Sequence, residues 1–156
     1  MSTINRATRS CELEELDAGL KTAMRAHVAQ YNLGVTESDI LMCCETTSTS
    51  HKRGIFGISK ETTLSAAYVT PKWLVWADST NQNDAGTGSA QLKQIDAHDY
   101  EMTAMFEISR DHGINVTGRY TDANKTGRTF IVLGSDRDGK KFRELLDRTM
   151  KRAKGQ

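Results

Sequence analysis

The sequence has little of several things that would place it in a special class of protein. Its 156 residues include one proline and three cysteines, aromatic residues make up 6%, and the net charge is +1. So few cysteines exclude a disulfide framework, and so small a charge argues against a strongly basic nucleic-acid-binding protein. No apolar run approaches the ~20 residues that cross a bilayer, and no secretory signal is readable. We therefore expect one cytoplasmic domain.

The cysteines and histidines form no pattern typical of a metal site. Cys43 and Cys44 are adjacent, so on a strand their side chains point to opposite faces, and no two histidines have a metal-ligand spacing. We expect free thiols, no metal and no cofactor.

One segment has the spacing of a phosphate-binding loop, with Gly134 and Gly139 followed by lysine. Lys141 stands where a magnesium-binding hydroxyl belongs, and the carboxylates of Asp136 and Asp138 would repel a phosphate. Ser135 or Asp136 as a helix cap explains the same residues, so we do not predict nucleotide binding.

Hydrophobic spacings of three and four predict a helix near each end of the sequence. The first runs from about Ser10, its expected N-cap, to Tyr31. The second runs from about Asp136 to Ala153, where eight basic and four acidic groups lie within residues 136–156. Its predicted inner stripe is Phe142, Leu145, Leu146, Thr149, Met150 and Ala153, and its charged residues, Arg143 among them, are expected to face water.

Between the helices, threonine, valine, isoleucine and aromatic residues predict strands separated by short turns, with turn residues at 51–54 and 83–88. Turns this short leave no room for crossover helices, so the sheet should be a mostly antiparallel meander in an α+β domain. The predicted strands are Ile40–Thr47, Leu64–Val69, Trp73–Ala77, Gln91–Asp96, Glu101–Ile108, Ile114–Tyr120 and Thr129–Leu133.

This order of elements resembles the bacterial pleckstrin-homology-like domains of the PH and GRAM type. Tyr68–Asp78 is similar to their strand–turn–strand unit, Gln94–Tyr100 to the strand after it, and Thr129–Leu146 to the last strand entering the capping helix. The resemblance implies a partly open antiparallel barrel of about seven strands with a C-terminal capping helix. Residues 38–156 would form this PH-like domain as a single folding unit, and residues 1–37 an N-terminal helical extension.

The resemblance also implies a non-catalytic binding module, with protein–protein interaction or a scaffold role as the leading hypothesis. The alternative is a peripheral binder of anionic lipid or phosphate groups through a loop at residues 47–60. Lys52, Arg53 and Lys60 would contact phosphates there, and Ile55 and Phe56 would enter the interface or fold back on the barrel.

Three further hypotheses concern other residues. A small enzyme with a site near His98 and Asp99 would need a nucleophile beside that pair, and no serine has a distinctive context. Trp73 and Trp76 should face opposite sides of a strand, with one covered by the N-terminal helix. If that helix packs on a second chain instead, the protein is a homo-oligomer with tryptophan in the interface. The basic C-terminal face has no aromatic platform, which argues against a nucleic-acid partner.

Overall fold

The computed structural model describes residues 3–80, 84–100, 111–121 and 126–156, and this part of the chain forms two antiparallel sheets and two α-helices. In the first sheet, neighbouring strands follow the order β1 (Thr3–Ser10), β2 (Met42–Gly54), β3 (Gly57–Val69), β4 (Trp73–Thr80) and β5 (Asp84–Gln91). The second contains β6 (Ile95–Asp99), β7 (Gly113–Arg119) and β8 (Thr126–Val132). The helices are α1 (Ala18–Gln30) and α2 (Arg137–Ala153).

The α+β class, the antiparallel meander and the C-terminal helix are thus confirmed. The two sheets do not close into one barrel in the described part of the chain, so the PH-like barrel stays a prediction. Among the described residues, no helix is long and apolar enough to cross a membrane.

The first helix begins later than the sequence indicates, so the expected start at Ser10 is wrong. Ser10 ends β1, and α1 begins only at Ala18. The N-cap is Asp17, whose carboxylate accepts hydrogen bonds from the backbone of Gly19 and Leu20.

Strand β1 is absent from the sequence-based prediction, and residues 1–37 are therefore not purely helical. All eight residues of β1 pair with β2, from Thr3 opposite His51 to Ser10 opposite Cys44. Its polar side chains find partners inside the molecule: Arg6 pairs with Asp111, and Thr8 bonds to Thr46. Because these positions are polar, β1 lacks the alternation of apolar residues by which a half-buried strand is normally predicted.

Strand β5 occupies the glycine-rich stretch predicted as a turn at residues 83–88, and that prediction is wrong. A Cβ atom on Gly88 would lie 2.4 Å from the ring of Trp76, and one on Gly86 would lie 2.8 Å from the carboxylate of Asp78. These glycines leave room for large neighbours on β4, so they indicate close packing rather than a turn.

The other predicted strands fare unevenly. The strand expected at Gln91–Asp96 is wrong, because β5 ends at Gln91, a short 3-10 turn follows at Leu92–Gln94, and β6 begins at Ile95. The strand expected at Glu101–Ile108 lies outside the described residues. Those expected at Trp73–Ala77, Ile114–Tyr120 and Thr129–Leu133 correspond closely to β4, β7 and β8.

Buried apolar residues pack on both faces of the first sheet. The cluster beneath α1 includes Cys43, whereas Cys44 belongs to the cluster between the first sheet, the second sheet and α2. The prediction that the adjacent cysteines face opposite sides is therefore confirmed, and all three cysteines are free. The largest fully buried side chains of the two clusters include Leu20, Met24, Tyr68, Val75, Leu74, Phe142 and Leu146.

Helix α2 has the predicted inner stripe, and Asp136 caps it by accepting a hydrogen bond from the backbone of Gly139. The prediction that Arg143 faces water is wrong, because its side chain is largely buried. It donates to the carbonyl of Gly134 at 2.8 Å and lies 3.3 Å from Asp99, which fixes the entry into the helix.

Candidate functional site

The segment predicted as a loop at residues 47–60 is instead the far half of a long β2–β3 hairpin. Pairing runs without interruption from Met42 opposite Val69 to Gly54 opposite Gly57. The loop prediction is wrong because it took five serine and threonine residues, the last of them Ser59, as loop residues, although threonine in particular suits the pleated surface of a strand.

A two-residue turn closes the hairpin. Ile55 and Phe56 lie between Gly54 and Gly57, and Gly57 has a φ of +119°, which residues with a Cβ rarely adopt. The side chains of Ile55 and Phe56 are 96% and 103% exposed, and Ile58 is 68% exposed. Of the two placements the sequence left open for Ile55 and Phe56, folding back on the sheet is therefore not the one observed. We call Ile55, Phe56 and Ile58 the apolar tip.

The apolar tip extends past the neighbouring strands. Strand β1 pairs with β2 only as far as His51, and β4 pairs with β3 only from Ser65 onward. Beyond these pairs, the end of the β2–β3 hairpin therefore has no neighbouring strand among the described strands. The apolar tip lies at that unpaired end.

Two basic side chains stand behind the apolar tip. Arg53 lies opposite Ile58, and Lys60 lies opposite His51, so both belong to the same face of the hairpin. Both are exposed, and neither forms an ion pair with a described residue. At ~3.3 Å per residue, Lys60 lies roughly 13 Å along the strand behind Phe56. Lys52, the third predicted contact, lies opposite Ser59 in the register.

The tryptophans lie away from the tip, on opposite faces of β4 as predicted. Trp73 is buried in the cluster beneath α1. Trp76 packs on the other face, where its ring meets the edge of Tyr120 with centroids 5.3 Å apart. Within this chain both rings are therefore used in packing, and their role in an interface between chains stays a prediction.

The residues near His98 do not assemble into the His–Asp pair that an enzyme would need. His98 is exposed on β6 opposite Asn115, whereas Asp99 is 3.3 Å from the guanidinium of Arg143. The two side chains diverge because neighbours on a strand alternate.

Nor do the buried thiols offer an obvious nucleophile. Burial raises the pKa of Cys44 to about 12 and raises the pKa of Cys43 as well, so both stay protonated at neutral pH. Within the part of the chain that the structure describes, no group of three or more histidine, cysteine or acidic side chains could hold a metal ion.

Comparisons of this chain with models of known protein families, with curated proteins and with solved structures found no match. The resemblance to PH-like domains therefore remains a prediction from sequence, and the apolar tip is the feature from which a function can be argued.

Proposed function

We propose that the protein is a non-catalytic binding module that docks on an anionic lipid surface through the tip of its β2–β3 hairpin. The observation that carries this proposal is the full exposure of Ile55 and Phe56 at a two-residue turn, with Arg53 and Lys60 exposed behind them. Apolar side chains at the front and cations behind match the order of layers in an anionic membrane surface.

The magnitudes are sufficient for reversible binding. Burying an isoleucine or phenylalanine side chain contributes about 1.5–3 kcal/mol, and each basic residue near an anionic surface contributes about 1 kcal/mol. Ile55, Phe56, Arg53 and Lys60 together then supply about 5–8 kcal/mol. This range corresponds to dissociation constants between about 0.1 mM and 1 μM.

The shape of the site favours a lipid surface over a protein partner. The apolar tip is convex and narrow, and a fluid interface can close around it without a preformed pocket. A protein partner would need a complementary cavity of its own. The protein-interaction or scaffold role implied by the resemblance is the alternative, and the outcome below separates the two.

The test is co-sedimentation of the full chain with vesicles of phosphatidylcholine alone and of phosphatidylcholine with 30% phosphatidylserine. We expect binding to the anionic vesicles only. Phe56→Ser should abolish it, and Arg53→Gln with Lys60→Gln should weaken it about tenfold or more. Two matched controls should bind as the wild type does: Leu41→Ser, at an exposed apolar residue outside the hairpin, and Lys93→Gln, at an exposed lysine.

Two results would contradict the proposal. Absence of sedimentation with either vesicle would leave the scaffold role as the better hypothesis. Equal binding to both vesicles would show that the cations behind the tip contribute nothing.

A further inference from the structure

A row of polar residues crosses the inner face of the first sheet. In the strand registers, Thr8 lies opposite Thr46, Thr46 opposite Ser65, Ser65 opposite Asp78, and Asp78 opposite Gly86. The five residues thus form one continuous row across β1 to β5. This face of the first sheet packs toward the second sheet. Polar side chains in such an interior are expected to have hydrogen-bond partners.

The pairing between β3 and β4 ends at this row. Ser65 opposite Asp78 is the last pair between β3 and β4. One residue further on, the hydroxyl of Ser79 replaces the missing strand contact: it accepts from the backbone nitrogen of Leu64 at 3.0 Å and donates to its carbonyl at 2.9 Å. The parting strands leave space between them and β8.

This space is a cavity of about 250 Å³ between the two sheets, which we call the inter-sheet cavity. Its apolar lining includes Trp76, Phe130 and Ile131, and its polar lining includes Ser65, Asp78 and Arg6. A cavity of ~150 Å³ holds a benzene molecule, so this one has room for a single ring with a short chain.

The hydroxyl of Ser65 has no hydrogen-bond partner in the described part of the chain, although the residue is only 8% exposed. Its neighbour in the row offers no substitute, because the hydroxyl of Thr46 is 2.7 Å from that of Thr8. Buried polar groups in native proteins are nearly always hydrogen-bonded, so an unpartnered hydroxyl that lines a cavity is available to a molecule bound there.

The described charged side chains that line the cavity are Arg6 and Asp78. Arg6 is neutralised by Asp111, whose two carboxylate oxygens accept from it at 2.7 and 2.9 Å. Asp78 has no cation among its described partners, and within the described part of the chain its carboxylate accepts from backbone groups of its own residue and Gly86. Burial accordingly raises the pKa of Asp78. Among the described groups at the cavity, Arg6 and Asp111 cancel, so the remaining charge is the negative charge of Asp78.

We infer that the inter-sheet cavity binds a small organic amine with an apolar body. The ammonium group would lie between the carboxylate of Asp78 and the hydroxyl of Ser65, which are cross-strand neighbours on one face. The apolar body would pack against Trp76 and Phe130. This site is separate from the proposed membrane contact, since Ser65 lies about 26 Å along β3 from Gly57 at ~3.3 Å per residue.

The test is a titration of the full chain with 2-phenylethylamine, followed by tryptophan fluorescence, to which Trp76 in the lining of the cavity contributes. Ethylbenzene, which lacks the charge, and phenylacetate, which reverses it, are the comparison probes. We expect a saturable change with the amine and binding at least about tenfold weaker with either comparison probe. Trp73 lies on the opposite face of β4 and should contribute a constant background, and Trp73→Phe should retain the change in fluorescence.

Variants assign the contacts. Asp78→Asn and Ser65→Ala should each weaken amine binding, the former by at least about tenfold. Asp147→Asn, at an exposed carboxylate on α2, should leave it unchanged. Thermal unfolding of each variant confirms that it is folded. Absence of a saturable change with the amine, equal affinity for ethylbenzene, or undiminished binding by folded Asp78→Asn would each overturn the inference.

Discussion

The carboxylate of Asp136 joins the two ends of the described chain, and its replacement by alanine offers a quantitative test of the fold. One oxygen accepts from the backbone of Gly139 at 3.2 Å as the N-cap of α2, and the other accepts from the backbone of Thr8 at 2.8 Å. Loss of an N-cap costs about 1 kcal/mol. Because Asp136 is exposed, the bond to Thr8 should contribute another ~1 kcal/mol, the amount typical of an uncharged hydrogen bond.

We therefore expect Asp136→Ala to lower the free energy of unfolding by about 2 kcal/mol, and the midpoint temperature by roughly 4–8 °C for a chain of this size. Asp136→Ser separates the two bonds, because its single oxygen can cap the helix but cannot also reach Thr8. It should lose about 1 kcal/mol. The assay is urea unfolding followed by circular dichroism, with Asp147→Ala as an exposed carboxylate control on the same helix.

Either of two results would contradict these two roles of Asp136. Asp136→Ala could lose less than about 0.5 kcal/mol, which would mean that the cap and the strand contact are both replaced by water. Asp136→Ser could lose as much as Asp136→Ala, which would mean that the two oxygens do not act separately.

Two further predictions concern packing and pH. Gly88→Ala should lower the free energy of unfolding by about 1–3 kcal/mol, because the new Cβ would lie 2.4 Å from the ring of Trp76. Urea unfolding measures this loss. Gly54→Ala, where the Cβ would lie 3.6 Å from the nearest atom, should cost less and serves as its control. Burial opposes ionisation of Asp111, but the hydrogen bonds from Arg6 and from the backbone of His112, together with the charge of Arg6, outweigh it and lower the pKa of Asp111. The stability from this carboxylate is therefore present above the ordinary aspartate pKa near 4 and lost as pH falls through the lower, folded value. In thermal unfolding at pH 7, the midpoint temperature of the wild type should exceed that of Asp111→Asn. A difference at pH 2 as large as the difference at pH 7 would contradict this role of Asp111.

Sequence reasoning located the elements whose buried face is apolar. Helix α2 repeats large apolar residues at helical spacing, and Phe142 and Leu146 are indeed fully buried. Strand β4 covers the predicted Trp73–Ala77 segment and continues to Thr80. In these elements local pattern and tertiary packing agree, so the pattern alone was sufficient.

Sequence reasoning failed where the buried face is polar or lacks side chains. Strand β1 places Arg6 and Thr8 against partners from distant parts of the chain, and β5 places Gly86 and Gly88 beneath larger neighbours. Both strands are defined by what packs on them. A signal was nevertheless present in β5, because its glycines alternate at period two as inward positions of a strand do.

The two proposed sites differ in the same respect. The apolar tip consists of consecutive residues, so its composition was readable even though its conformation was predicted wrongly. The inter-sheet cavity brings Ser65 and Asp78 together only through the register of β3 and β4. No local pattern specifies that register in advance, and neither residue has a distinctive neighbourhood in the sequence.

The contacts between α2 and β1 also affect the order in which these elements can fold while the chain is being synthesised. The backbone of Thr8 and that of Ser10 are held by Asp136 and Asp138, each 128 residues further along the chain. Strand β1 can pair with β2 early, but its second set of partners is synthesised 128 residues later. Because such long-range contacts form slowly, the edge of the first sheet should remain open until α2 has been synthesised and packs against β1.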